Sequence, residues 1–270
     1  MVLTTRPPSA GKTRANYGLD APGVVRNLFV VTALGFLAWP LGLALEVVLW
    51  WQSPEPFRII FPINYMGPWI GFTCFLVGCW MVYYSYAGKL RLRERLLDGI
   101  AWSGAEAVLD VGCGRGLLLV GAAKRLTTGK ATGIDLWQGE DLTGNSPAAP
   151  RANAEAEGVA DRVEVQTGDA RNLPFADANF DVVVSNAALH NIYDAAQRQR
   201  AMREIARVLK PGGWCIISDI RHLAEYADIL RQNGCTEVRQ TGSRVVALLW
   251  SVLTFGSLQP GTVQARKAAI

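Results

Sequence analysis

Three aspartates stand at the ends of apolar runs in the second half of this chain: Asp110 in VLDVGCGRG, Asp135 in GIDLW and Asp169 in TGDARNLPF. Gly112 and Gly114 allow a tight backbone turn that comes close to a ligand, and Gly116 opens the helix that follows. A glycine-rich turn of this kind also suits dinucleotides. Asp110 narrows the choice, because a carboxylate there would repel a pyrophosphate and welcome a cation such as a sulfonium carrying an amino group. Asp135 can take both hydroxyls of a ribose. Leu136 and Trp137 could flank an adenine, although Trp137 serves equally as a packed aromatic. Asp169 could accept from an adenine amino group; alone, such a residue is often only a turn former. Three acids at three successive strand ends are harder to dismiss.

Alternating strands and helices position these residues. Strands are expected at 107–112, 130–136, 163–170, 180–187 and 214–220, with a further one in TEVRQTG. FDVVVSNA reads as a strand buried on both faces. Helices are expected at 116–126 and 147–159, with Gly158 as a stop, and from Asp194 to Lys210, with Asp194 as the cap, Met202, Ile205 and Leu209 on one face, and PGG as the end. One more covers LAEYADILRQNG. The alternation predicts an α/β fold with a doubly wound, mostly parallel seven-stranded sheet, binding ligands at the carboxyl ends of its strands.

VLDVGCGRG, GIDLW, GDARNLPFADANFDVVVSNAALHNI and REIARVLKPGGW, in this order and spacing over about residues 95–240, resemble the class I S-adenosylmethionine-dependent methyltransferases. The nearest flavour is that of small-molecule enzymes acting on quinones, sterols or arsenite. The resemblance implies S-adenosylmethionine as cofactor. It implies that Gly112, Gly114 and Gly116, in a loop that includes Cys113, hold its methionine part with Asp110 near its amino end, that Asp135 binds ribose with Leu136 next to it at the adenine, and that Asp169 and Ala170 meet adenine. It also places SNAALHNIY beside the transferable methyl, with Asn186 near both cofactor and acceptor. His190 could be a general base, or could simply pack and hydrogen-bond there. Asn186 and Asn191 could orient the acceptor, and Tyr193 is a further candidate. In-line transfer to a neutral leaving group can rest on positioning alone, so no base is obligatory. The segment is not the [DN]PP[YF] tetrapeptide of many amino-methyltransferases, which argues against a nucleic-acid target. No metal-ligand cluster is evident, and the five scattered cysteines suggest neither disulfides nor zinc.

The first third of the chain differs. Half of all residues are apolar, and the excess is concentrated at 24–88. Residues 1–23 read as a flexible basic tail. Two spanning helices are expected at about 27–51 and 66–87, the first kinked at Pro40, with Trp50 and Trp51 at an interface. Glu46 and Asn64 are polar groups near the outer ends of these spans. Gly67, Gly71 and Gly78 offer faces for helix contact and would permit a homodimer. Arg6, Lys12, Arg14 and Arg26 precede the first span and Lys89, Arg91, Arg93 and Arg95 follow the second, against Arg58 alone between them. That bias places both ends, and the catalytic domain, in the cytoplasm. A cleaved signal peptide is not expected. Residues 89–106 then form a basic juxtamembrane helix whose charges would favour anionic headgroups, leading into a catalytic domain at 107–270. Within it, 245–255 is an apolar insertion that suits a core, re-entrant or interfacial helix.

The expected protein is a two-pass membrane methyltransferase acting on a lipid-like or amphipathic small molecule. Alternatives are a soluble-metabolite or membrane-protein acceptor, or a cofactor-binding sensor or scaffold.

Overall fold

AVLDV is apolar throughout because both of its faces are covered. In the computed structural model, which describes residues 14–52, 63–138, 144–254 and 256–269, this strand is β1 (Ala107–Val111) at the middle of the sheet. Val108 points into one layer of side chains and Leu109 into the other. The other strands are β2 (Lys130–Asp135), β3 (Val163–Thr167), β4 (Phe180–Asn186), β5 (Leu209–Asp219), β6 (Cys235–Thr241) and β7 (Gly261–Lys267). The seven lie in the order β3-β2-β1-β4-β5-β7-β6. The first five are parallel, and β7 runs antiparallel between β5 and β6. The expected doubly wound, mostly parallel sheet of seven strands is therefore present.

Helices cover both faces. On one, α3 (Lys89–Leu97), α4 (Leu117–Ala123) and α5 (Ala148–Ala156) contribute Leu97, Leu119 and Ala154 over Val108, Val182 and Ile216. On the other, α6 (Ala195–Val208) and α7 (Leu223–Gln232) contribute Met202, Ile205 and Tyr226 over Leu109, Val183 and Ile217. Asp194 caps α6 as expected, accepting the Gln197 N–H at 2.8 Å. The helix does not run on to the PGG turn. It ends at Val208, because Leu209 is extended and buried as it pairs with Phe180. β5 thus starts five residues before the expected Trp214 and crosses an irregularity between Phe180 and Val182.

By internal contacts the chain divides into two units, a larger one (residues 14–17, 90–138 and 144–269) and a smaller one (residues 18–89). The smaller unit holds α1 (Pro22–Gln52) and α2 (Ile63–Tyr83), the latter followed by a π-helical turn at Tyr84–Gly88. Residues 22–44 and 66–97 are long and apolar enough, by length and composition, to cross a membrane. The glycines expected to serve association are used between α1 and α2. A Cβ on Gly35 would lie 2.5 Å from the Gly67 carbonyl oxygen and 2.8 Å from the Gly71 Cα, and one on Gly78 would meet the Phe29 ring. Leu34, Leu37, Trp39, Trp69 and Trp80 are left exposed. Residues 1–13, residues 53–62 with Arg58, and the side chains of Glu46, Trp50, Trp51 and Asn64 lie outside the described parts of the chain.

Two expectations for the flanks need correction. Lys89 and Arg93 are not offered to headgroups, since both are buried. Lys89 Nζ donates to the Gly18 carbonyl at 2.6 Å and to Asp20 at 2.9 Å. Arg93 donates to Glu157 at 2.9 Å and lies over the Tyr17 ring. Nor are residues 16–17 a loose tail. The side-chain amide of buried Asn153 pairs with both backbone polar groups of Asn16, at 2.7 and 3.0 Å, and the Tyr17 hydroxyl donates to Glu157. A side chain that satisfies both backbone groups of a residue holds it as a strand neighbour would.

Candidate active site

In a parallel sheet the place where strand order reverses leaves a crevice outside the strand ends. Here it opens between β1 and β4. The loops after these two strands touch: Gly112 has φ +71°, and a Cβ on it would lie 2.2 Å from the Ala188 Cβ. Only glycine fits such a position. The Gly112 and Cys113 N–H groups donate to the Ile134 carbonyl, and Gly116 N–H closes the turn on the Cys113 carbonyl at 2.7 Å.

Asp110 lies beneath this loop, 2 % exposed. One of its oxygens accepts the Leu119 N–H of α4 at 2.8 Å. Burial pushes its carboxyl up to about 7 against the pull of that N–H, and the charge of Asp135 adds to the rise. It is a carboxyl at the edge of ionisation that a cation beside it would ionise. Burial, with the charges of Asp110 and Asp135, also pushes the Cys113 thiol well up, so this side chain is a small packing group rather than a nucleophile.

Asp135 ends β2. One of its oxygens accepts the Gly114 N–H at 2.8 Å and the other the Trp137 N–H at 2.7 Å. No cation of the described residues pairs with it, so lone pairs remain for two hydroxyls. Leu136 beside it is 45 % exposed. Trp137 is turned away: its Nε1 donates to Thr167 at 2.8 Å and its ring packs on the core. Asp169 follows β3, and its carboxylate is engaged by Arg171 through Nε at 2.9 Å and Nη2 at 2.6 Å. The hydrogen bonds and charge of Arg171 hold it below the usual carboxylate range. An adenine amino group would therefore share Asp169 with Arg171, a partner the sequence pattern did not suggest. Ala170 packs partly buried against the core.

Past β4 the backbone is left-handed at Ala187, and residues 189–191 make one 3₁₀ turn. Asn186 sits at the strand end, half-buried. The turn brings His190 to the end of β5. Its Nδ1 lies 2.6 Å from Asp219 Oδ1 and its backbone N–H donates to Asp219 Oδ2 at 3.1 Å. Asp219 is buried and also accepts the Ile220 N–H at 2.7 Å. A carboxylate on Nδ1 fixes the tautomer with the proton there and leaves Nε2 as the basic atom. Asp219 was missed in the sequence, where it carries the signal used for the other three acids: an aspartate ending an apolar strand. Tyr193, by contrast, is 86 % exposed.

A second histidine is also close. His222 begins α7 with a left-handed backbone, and burial, then the charge of Arg198, lowers its pKa. Buried Arg198 donates to Glu225 at 2.9 Å. Glu225 Oε1 and Arg221 Nε are buried without a partner. Unsatisfied polar atoms beside a His–Asp pair are what a site for a polar ligand leaves behind. Among the described residues no group of His, Cys, Asp and Glu could hold a metal.

Residues 109–217 match a family described as a methyltransferase domain. The chain is 40% identical over 124 residues to the chloroplastic 2-phytyl-1,4-beta-naphthoquinone methyltransferase of Arabidopsis thaliana, covering 44% of this chain and 45% of that protein. It is 34% identical over 131 residues to the ubiquinone/menaquinone biosynthesis C-methyltransferase UbiE of Roseobacter denitrificans, covering 48% and 49%. The chain spans about half the length of the curated relatives it matches. Among solved structures, the geranyl diphosphate C-methyltransferase of Streptomyces coelicolor A3(2), in complex with Mg2+, geranyl diphosphate and S-adenosyl-L-homocysteine, has the same fold, with a TM-score of 0.51 and 16% identity over 66% of this chain and 79% of that one.

Proposed function

We propose that this chain, whose residues 109–217 match a methyltransferase domain, is a class I S-adenosylmethionine-dependent enzyme that methylates a lipid-like or amphipathic small molecule at the cytoplasmic face of a membrane. The observation that carries the proposal is the union, in one chain, of that domain with two helices long and apolar enough to cross a bilayer. Their exposed leucines and tryptophans suit lipid. The excess of Lys and Arg outside the pair favours the orientation with both ends in the cytoplasm. The matched Arabidopsis enzyme is named for a phytyl-bearing naphthoquinone, an acceptor of the same chemical kind.

The residues at the crevice fit the cofactor. Asp135 accepts the ribose hydroxyls and Leu136 offers an apolar edge to the adenine. Asp169 shares its carboxylate between Arg171 and the adenine amino group, and the 112–116 loop with Asp110 receives the cationic methionine end. The bound cofactor supplies an electrophilic methyl group. His190, oriented by Asp219, takes a proton from the acceptor atom through Nε2, which suits a hydroxyl or an acidic ring carbon. Asn186 orients the acceptor.

The test uses the full chain in detergent and its Asp135→Ala variant, each with methyl-labelled S-adenosylmethionine and a total membrane lipid extract. Label is expected in the organic phase with the intact chain and not with the variant. Cofactor binding without transfer to lipid would favour a soluble or protein acceptor, or a sensor. No cofactor binding by folded protein would reject the assignment.

A further inference from the structure

The insertion between β6 and β7 is a built element. The helix α8 (Arg244–Leu253) starts where the Val246 N–H meets the Ser243 hydroxyl at 3.3 Å. It ends at Gly256, φ +81°, where the Thr254 hydroxyl and the Gly256 N–H close back on the last turn. Such capping marks a helix with its own register. Yet Val245 is 76 % and Leu248 65 % exposed, and Val246 is exposed as well.

Its place in the sheet is also specific. β7 is antiparallel to β5, so Gly261 at its start pairs with Asp219, and Thr262 with Thr241 at the end of β6. The Gln259 N–H donates to the Ile220 carbonyl at 2.8 Å. The insertion therefore rises from the strand edge that carries His190 and Asp219. From Val238 to Ile270 there is no Asp or Glu, and Arg244 opens the helix.

We propose that α8 is a membrane-docking helix that lays Val245, Val246 and Leu248 into the headgroup–acyl boundary of an anionic leaflet beside the acceptor end of β5. A short helix that exposes Val245, Val246 and Leu248 in an acid-free segment offers a leaflet apolar area to bury and no anionic charge to repel its headgroups. Two further helices of the same chain are long and apolar enough to cross a bilayer. An acceptor dissolved in the leaflet would then enter from the lipid side. This rests on the membrane-anchored reading above, and its test keeps the two apart.

Nitroxide labels are placed on the full chain at Leu248→Cys and, separately, Val245→Cys, in a Cys74→Ala, Cys79→Ala background. The three remaining cysteines are buried. Leu37→Cys in α1 and Asp161→Cys on an exposed polar turn are the references. Each chain is checked for cofactor binding and reconstituted into phosphatidylcholine–phosphatidylglycerol vesicles. Collision with oxygen and with a water-soluble nickel chelate is then read by electron paramagnetic resonance.

The oxygen-to-nickel ratio at 248 and 245 is expected to be several-fold above that at 161 and to resemble that at 37. A ratio at 248 like that at 161, with 37 in lipid, would overturn the inference and leave the anchor. Shielding of 248 from both probes, with 37 in lipid, would also overturn it and point to a second copy or a protein partner. Nickel access at 37 would reject the anchor and the inference together.

Discussion

Asp110 couples the cofactor site to pH. With its carboxyl pushed by burial up to about 7, the ligand-free site is partly protonated near neutrality. A cationic ligand favours the ionised form, so binding below that value expels a proton. Affinity for S-adenosylmethionine is expected to fall as pH drops below about 7 and to be flat above it. Asp110→Asn should remove that slope, which calorimetry in buffers of different ionisation enthalpy would detect. Without ligand the sign reverses. The raised carboxyl contributes stability that is complete below its ordinary 3.8 and is lost as pH rises through about 7. The His190–Asp219 pair makes a separate prediction. His190→Ala should slow transfer by about 10²–10⁴ with cofactor affinity unchanged. Asp219→Asn should lower kcat as well with cofactor affinity unchanged, because an amide does not hold the imidazole tautomer. A purely structural Asp219 would change stability and leave kcat of the folded protein in place.

At the scale of elements, the α1–α2 pair depends on backbone contact. The atoms that a Cβ on Gly35 would strike are the Gly67 carbonyl oxygen at 2.5 Å and the Gly71 Cα at 2.8 Å, and neither is a side chain that can swing aside. Gly35→Val is expected to part the two helices and lower the melting temperature in detergent by several degrees. Gly23→Ala, whose Cβ meets nothing within 4 Å, should have little effect. Differential scanning fluorimetry on the two variants checks this. The sheet shows the same logic in reverse. Gly112 is required because the loops after β1 and β4 meet at the crevice, and Gly112→Ala should weaken cofactor binding by pushing those loops apart at Ala188.

At the scale of the molecule, Glu157 gathers distant parts of the larger unit. Tyr17, Arg93 and Lys124 all donate to it. Tyr17 lies ahead of the first apolar helix and Arg93 after the second, so residues far apart in sequence meet at Glu157, the end of α5. Burial alone would raise the Glu157 carboxyl, but the hydrogen bonds from Lys124, Tyr17 and Arg93 outweigh it and hold it at about 2. The sign for a depressed acid follows. Its contribution is present above the ordinary 4.5 and is lost as pH falls toward about 2. Glu157→Gln should therefore destabilise the neutral protein and flatten its loss of stability on acidification, read from urea midpoints across that range.

The amino-acid sequence alone determined the strand–helix alternation, the sheet, the two apolar helices and the acids at the ends of β1, β2 and β3. Each of these is local: periodicity, a glycine turn or a run of apolar residues states it without knowledge of partners. The fates of Lys89 and Arg93, of Asn16 and Tyr17, and of the glycines between α1 and α2 were decided only by tertiary structure. A charge is read as solvated until a carboxylate distant in sequence claims it, and a glycine as available until a backbone lies against it. The same holds at the site. His190 was visible in the sequence, but Asp219, 29 residues on, became its partner only because β4 and β5 are parallel neighbours that deliver both residues to one edge.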